Sequence, residues 1–522
     1  MKSVMTNRFS QVAKADIPRS RFKRVHGHKT TFDAGFLVPI FKDEVLPGDT
    51  MNLRMSFFGR LATPIFPIMD NIFLDTFFFF VPNRLLWDNW QKFMGEQDNP
   101  DDSTDFTVPI MTAPAGGFTS GSIHDYLGLP TLVDNIEAST LYHRAYQLIY
   151  NEWFRDQNLQ DSVTVPKDDG PDDPATFVLK RRGKRHDYFT SCLPFPQKGP
   201  AVSLPLGTKA RVFGIGADGI TFNNTNTNVK ESGVVDTTYA KSKGAGASGW
   251  EIEEDPDNVG YPNIFADLTN ATASTINELR QAWQIQRLLE RDARGGTRYI
   301  EIVKSHFGVT SPDARMQRPE YLGGGSTPIN INPIAQTSST DATTPQGNLA
   351  AMGTVQGTGH GFTKSFTEHG VVLGLVNVRA DLTYQQGLSR DYSRRTKLDF
   401  YWPALSHIGE QAVLSKEIFA DGTASDEDVF GYQERFGEYR YKPSQISGVF
   451  RSNHPQSLDG WHLAQEFATR PTLNDTFIED NPPIDRIVAV PTEPDILFDS
   501  YFDYTCVRPM PLYGVPGMVD HF

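Results

Sequence analysis

The sequence predicts a large, mainly β protein in which short strands are joined by many long turns. The stretch Leu74–Pro82 contains four consecutive phenylalanines, which cannot alternate between core and water, so a strand made of them must be covered on both faces. Met51, Leu53, Met55 and Phe57 alternate with polar residues, which is typical of a strand with one buried face. The 43 glycines and 35 prolines among 522 residues exceed the usual share and favour turns over a helical bundle.

The first 30 residues predict a basic arm. They carry eight Lys or Arg residues and one acidic residue, so they hold a charge of +7 while the remainder of the chain holds −21, against −14 for the whole. Basic extended segments with spaced aromatics neutralise phosphates and stack on bases. A solvated, disordered terminus explains the composition equally well. The candidate nucleic-acid contacts are Arg8, Lys14, Arg19, Arg21, Lys23, Arg24 and Lys29.

Strands and short helices are predicted in order through the first half of the chain. A strand at 36–41 is followed by a Pro47-Gly48-Asp49 turn, the alternating strand and the phenylalanine strand. Leu85, Leu86, Trp90 and Phe93 are spaced for a short helix. A helix over 137–157 would present Tyr142, Tyr146, Ile149 and Trp153 to the core on one face.

A second group of cations lies at 180–186, where five of seven residues are Lys or Arg. Such a group is consistent with a phosphate-contacting patch, and equally with a surface loop or a subunit contact.

The composition changes from Gly207 to Asn263. Of these 57 residues, 24 are Gly, Asn, Ser or Thr, and few large apolar residues are available for a core. Such a segment inside a compact protein is a linker or an exposed functional projection.

Regular structure is predicted again from Thr275. Thr275 and Glu278 have the spacing of a capping box, and Gly295-Gly296 ends the helix that follows. Residues 323–361 are rich in small and turn-forming residues and predict a second long loop. Strands are predicted at 371–382 and 496–507, before a proline-rich C-terminal arm.

The motif content of the sequence favours a binding or structural protein. The chain has no nucleophile elbow, zinc-protease motif or Walker loop. His26 and His28 do not make a tetrahedral metal site, the aspartates at 98–105 lack EF-hand spacing, and the glycines at 214–219 lack a strand-loop-helix context. We therefore expect no cofactor, no metal and no enzymatic activity. An all-β carbohydrate-active enzyme and a surface adhesin remain the alternatives.

Two features predict the compartment. The chain shows no apolar N-terminal signal and no apolar run long enough to span a membrane. Cys192 and Cys506 could pair, but we interpret them as reduced thiols in a protein made in a cytoplasm.

Long strings of the sequence resemble the major capsid protein of gokushoviruses, which are small single-stranded DNA bacteriophages of the family Microviridae. They include FFGRLATPIFPIMDN, FLDTFFFFVPNRL, SCLPFPQKGPAV, INELRQAWQIQRLLERDARGGTRYIEIVKSHFGV, VFGYQERFGEYRYKPSQISGVFRS and FATRPTLNDTFI. The resemblance covers nearly the whole chain in order, except for about 207–268.

The resemblance implies an eight-stranded antiparallel viral jelly roll with long inserted loops and a few helices. Copies would form a T=1 icosahedral shell around circular single-stranded DNA, assembled in the bacterial cytoplasm. The implied partners are a small basic DNA-binding protein, an internal scaffolding protein and a host receptor.

The resemblance also implies a division of the chain. Residues 1–30 would be an internal arm, 31–206 and 269–505 the jelly roll, 207–268 a surface insertion, and 506–522 a C-terminal arm. In this family a large insertion forms protrusions at the three-fold axes that are thought to meet the host. The candidate attachment residues in it are Gly207, Asn223, Asn224, Gly246, Trp250 and Asn263.

Overall fold

A computed structural model describes residues 18–200, 202, 209–211, 220–223, 230–233, 265–267, 276–310, 317–338, 340 and 346–513. The chain divides into two compact units. The first contains Met1–Pro196 and Thr310–Phe522, and the second contains Gln197–Val309.

The strands of the described residues are antiparallel wherever they pair. In chain order they are β1 (Ser20–Lys23), β2 (His26–Phe32), β3 (Val38–Val45), β4 (Thr50–Leu61), β5 (Ile72–Pro82), β6 (Ile110–Thr112), β7 (Glu137–Ser139), β8 (Lys209–Arg211), β9 (Ile220–Asn223), β10 (Lys230–Gly233), β11 (Phe265–Asp267), β12 (Glu320–Pro328), β13 (Asn330–Ala335), β14 (Leu349–Ser365), β15 (Gly370–Ala380), β16 (Glu410–Leu414), β17 (Val429–Glu434) and β18 (Ile496–Arg508).

Two sheets form the body of the first unit. One runs in the order β2-β18-β4-β14, extended by β1 beside β18 and by β13 beside β14, and the other runs β12-β5-β15-β3. Eight strands, β2, β3, β4, β5, β12, β14, β15 and β18, are shared between the two antiparallel sheets, and along the chain they alternate between the sheets except at β5 and β12, which pair with each other. This arrangement is a double-sheet jelly roll. The predicted fold class is confirmed.

The phenylalanine strand β5 lies between two layers of core. Phe78 and Phe80 belong to the cluster that fills the space between the sheets, with Met51, Met55 and Phe502. Phe79 and the partly buried Phe77 belong to a second cluster on the opposite face of the same sheet. The predicted burial on both faces is confirmed, and it explains why this strand is not amphipathic.

In the first unit, the helical segments at 123–126 and 141–149 pack with loops on the outer side of the β5 sheet. The α-helices of the described residues are α1 (Trp90–Phe93), α2 (Ile123–Tyr126), α3 (Leu141–Ile149), α4 (Ile276–Arg294), α5 (Tyr299–Phe307) and α6 (Asp475–Ile478). Helix α3 continues as one π-helical turn over Tyr150–Phe154, so the predicted helix is shorter than 137–157. Tyr146 and Ile149 are buried as expected, whereas Trp153 is 41% exposed because the widened turn carries it out of the stripe.

The sheet begins earlier than the predicted boundary at residue 30. Strands β1 and β2 pair along one edge of β18, with Ser20 opposite Arg508 and Phe32 opposite Ile496. Their sequence is mostly polar because an edge strand needs only one buried face, which Phe32 supplies here.

The predicted loop over 323–361 is wrong, because β12, β13 and most of β14 occupy this segment. Its glycines allow close packing between strands. A Cβ on Gly357 would lie 2.5 Å from the Phe57 ring, and a Cβ on Gly361 would clash with the Leu53 carbonyl oxygen. Glycines that predict turns locally are therefore required here by the close approach of the Phe57 ring and of the Leu53 backbone in the adjacent strand β4.

The second unit contains two helices and two pairs of short antiparallel strands among its described residues. Helix α4 ends before Gly295-Gly296 as predicted, and Gly296 adopts a φ of +95°. The Nε2 atom of His306 in α5 lies 2.7 Å from the Oδ1 atom of Asp292 in α4. Strand β9 pairs with the next strand, β10, and β8 pairs with the more distant β11.

Candidate nucleic-acid interface

The outer face of the β18 sheet is polar, and it contains several of the predicted nucleic-acid contacts. Along β18, buried residues alternate with exposed Leu497, Asp499, Tyr501 and Asp503. The same alternation along β4 exposes Arg54, Phe58 and Arg60. The inner face of this sheet is buried in the core between the two sheets. Only the outer face can therefore contact a ligand.

Strand register places three predicted cations on this face. Arg21 and Lys23 lie opposite Val507 and Thr505, and Lys29 lies opposite Asp499. Arg21 and Lys23 are exposed. The Lys29 ammonium lies 3.2 Å from the Asp499 carboxylate, and both side chains are largely exposed, so this ion pair is weak.

The structure gives two other predicted cations a structural role. Arg19 donates to the Gly48 carbonyl oxygen. Arg24 forms an ion pair with Asp43, and its guanidinium lies 5.3 Å above the Tyr504 ring. Tyr504 also donates to Asp43, and burial raises its pKa. Both contacts join the first strands to the jelly roll. Arg8 and Lys14 lie outside the described residues.

Sequence reasoning missed four residues of the same face: Arg54, Phe58, Arg60 and Tyr501. Phe58 is 51% exposed and Tyr501 53% exposed, and they are diagonal neighbours because Asp499 lies opposite Phe58 and Tyr501 opposite Ser56. The alternating pattern of β4 could have identified three of them, because Arg54, Phe58 and Arg60 occupy the positions between the buried residues. Arg21, Lys23, Arg54 and Arg60 form no ion pair within the part of the chain that the structure describes.

Arg182 and Lys184, two of the five cations at 180–186, have structural partners. Arg182 and Arg379 both donate to Asp75, at 2.6 and 2.8 Å. Burial alone would raise the pKa of Asp75, but the hydrogen bonds from Ser326, Arg379 and Arg182 and the charge of Arg182 outweigh burial and lower this pKa. Lys184 is buried and donates to the Phe477 carbonyl oxygen. Burial lowers the pKa of Lys184 to about 8. These residues join β5 and β15 to the loops, which removes the phosphate alternative for them.

The remaining predicted residues lie in the insertion or are the two cysteines. Asn223 ends β9, opposite Lys230, whereas Gly207, Asn224, Gly246, Trp250 and Asn263 lie outside the described residues, as does the 214–219 glycine segment. Cys192 and Cys506 are buried and are not joined in a disulfide. In the described ranges, we find no helix with the length and hydropathy to cross a membrane.

Comparison with known proteins gives matches along nearly the whole chain. The family model described as "Capsid protein (F protein)" matches residues 10–518. Capsid protein VP1 of Bdellovibrio phage phiMH2K is 52% identical over 98% of both chains. Capsid protein VP1 of Chlamydia phage 1 is 46% identical over 99% of this chain and 98% of its own, and that of Spiroplasma virus 4 is 38% identical over 98% and 97%.

Proposed function

The chain belongs to the Capsid protein (F protein) family and is a major capsid protein of the gokushovirus type, and we propose that its copies assemble into a T=1 icosahedral shell around circular single-stranded DNA. As a capsid protein it is a component of the virion. The observation that supports the shell is a whole-length match to capsid proteins on a chain that folds as a jelly roll. Its role in this proposal is assembly and binding, without turnover.

The outer face of the β18 sheet is the proposed contact with the genome. It combines five cations, Arg21, Lys23, Lys29, Arg54 and Arg60, with two carboxylates and two exposed aromatic rings. Lys and Arg supply the salt-dependent attraction to phosphates, and aromatic rings supply stacking for unpaired bases.

The charge of the chain supports the other proposed partners. The residues after the first 30 carry −21, so a packaged genome requires additional cations, which a small basic DNA-binding protein would supply. We propose assembly in the bacterial cytoplasm with an internal scaffolding protein, and attachment to a host receptor through residues 207–268.

Neutralising Arg21 and Lys23 together tests the DNA contact. The double change Arg21→Gln and Lys23→Gln should lower the amount of nuclease-protected DNA per particle and make DNA binding less dependent on salt concentration, because two phosphate contacts are removed. The matched control is Arg395→Gln with Lys397→Gln, which removes the same charge from an exposed segment elsewhere. Equal DNA content in wild type and both variants would contradict the proposed contact.

Deleting residues 210–260 tests the attachment role. The deletion should leave particles that assemble but do not adsorb to host cells, because the jelly-roll strands lie outside this segment. Adsorption is measured as the fraction of particles removed from solution by host cells. Adsorption and infectivity at the wild-type level would refute the role of the insertion.

A further inference from the structure

A groove of about 790 Å³ lies at one end of the outer face of the β18 sheet. Strands β2, β4 and β18 form its floor, and the loop at Ser120–Gly121 with Tyr126 of α2 forms its wall. Tyr126 donates to the Thr31 carbonyl oxygen at 2.9 Å, which holds the wall against the edge strand. The groove is large enough to enclose one nucleotide.

We propose that this groove binds one nucleotide of single-stranded DNA, with the base stacked on Phe58 and its phosphate held by Arg60. The inference rests on the proposed function, because it assumes that the shell encloses DNA. It adds a defined binding position to a face that would otherwise attract DNA by charge alone.

The floor of the groove supplies the stacking surface. Phe58 and Leu497 are about half exposed although both lie in central strands of the sheet. Arg60 lies opposite Leu497, so the ring, the aliphatic side chain and the guanidinium are neighbours on one face. A base ring that covers Phe58 and Leu497 removes apolar surface from water, and every base offers such a ring face.

The charges of the groove indicate how the nucleotide lies. Arg60 and Lys29 can hold a phosphate, and an arginine does so with two parallel hydrogen bonds. Asp33, Asp125 and Asp499 also line the groove, so it repels a ligand with many negative charges. Asp125 is already used locally, because it accepts from the backbone N–H of Gly121 at 2.8 Å. This combination of two cations, three carboxylates and an apolar floor fits a stacking ligand with one phosphate better than a free phosphate ion or an acidic peptide.

Ultraviolet cross-linking of purified wild-type particles, after their DNA content has been measured, tests the proposal directly. After nuclease and protease digestion, mass spectrometry should find a nucleotide adduct on the peptide that contains Phe58. Adducts elsewhere without one at β4 or β18 would overturn the groove and leave the genome-enclosing function intact. Particles that contain no DNA would instead refute the proposed function, and the groove with it. A protein segment cross-linked in the groove would also overturn the proposal.

Substitutions of Phe58 provide a second test of the groove. Phe58→Ala should reduce the adduct yield roughly tenfold, since stacking of a base contributes about 1–3 kcal/mol. Phe58→Trp should retain the adduct, because a larger ring still stacks. Tyr392→Ala removes a ring that is 79% exposed on another surface and should leave the yield unchanged. Equal yields in Phe58→Ala and Tyr392→Ala would contradict the proposal.

Discussion

Individual buried polar residues join distant segments of the first unit. Arg144 is fully buried and donates to both carboxylate oxygens of Asp172, at 2.8 and 2.7 Å. Asp495 is buried where β18 begins, and it accepts from the backbone N–H of Ala34 at 2.9 Å. The two sites differ in their electrostatics, because Asp172 faces a cation whereas Asp495 lies near the carboxylates of Asp33 and Asp485.

Asp495 makes stability depend on pH in a defined window. Burial raises its pKa to about 6, and the charges of Asp33 and Asp485 act in the same direction. An unfolded chain has an aspartate pKa near 3.9, so between about pH 4 and pH 6 the folded state binds a proton that the unfolded state releases. The contribution of Asp495 to stability is therefore complete below this window and is lost as pH rises through 6.

The change Asp495→Asn should remove this dependence while keeping an oxygen that accepts from Ala34. Relative to wild type, the variant should gain up to about 2 kcal/mol in the free energy of unfolding between pH 4 and pH 7. Denaturant unfolding of the purified protein at both pH values measures the difference. A constant difference between the two proteins from pH 4 to pH 7 would show that Asp495 does not titrate in this window.

At the scale of elements, strand β5 connects the two cores. Phe78 contacts the inter-sheet cluster, with its ring 5.7 Å from that of Phe362, and Phe79 contacts the outer cluster, with its ring 5.9 Å from that of Phe154. A single strand thus stabilises both the sheet sandwich and the helical layer.

Truncating Phe78 tests this role. Phe78→Ala should lower the free energy of unfolding by about 3–5 kcal/mol, because it leaves a cavity in a fully buried site. Phe58→Ala on the outer face is the matched control and should change stability by no more than about 0.5 kcal/mol. Thermal or denaturant unfolding compares the two variants. A similar loss for both would contradict the assignment of buried and exposed faces.

Local sequence predicted the elements with a strong apolar pattern and missed those specified by their neighbours. The strands at β4, β5, β15 and β18 and the helix α4 follow from alternation, continuous apolar runs and glycine stops. The glycines Gly357 and Gly361 of β14 lie in a strand where the Phe57 ring and the Leu53 backbone of β4 leave no space for a Cβ. Likewise, Phe58 and Arg60 become a candidate site only when register places them beside Leu497 and Lys29. Register between distant segments is not encoded in a local pattern.

At the scale of the whole molecule, a basic sheet face and a separate compact unit are the two features relevant to assembly. The chain carries −14 overall, yet the cations of β1, β2 and β4 share one sheet face with exposed aromatic rings. The second unit, Gln197–Val309, contains the predicted insertion and is a compact unit of its own. A shell protein needs both a surface for its contents and a surface for its surroundings, and we propose these two regions for the two roles.

Electron microscopy of the purified protein, coexpressed with the phage partners, tests the central claim most directly. The account predicts uniform, closed icosahedral particles with T=1 symmetry. It further predicts that these particles contain density for nucleic acid against the outer face of the β18 sheet. Monomers, open filaments or particles of mixed size would contradict the proposed shell, and closed particles in which that sheet face points away from the nucleic acid would contradict the proposed genome contact.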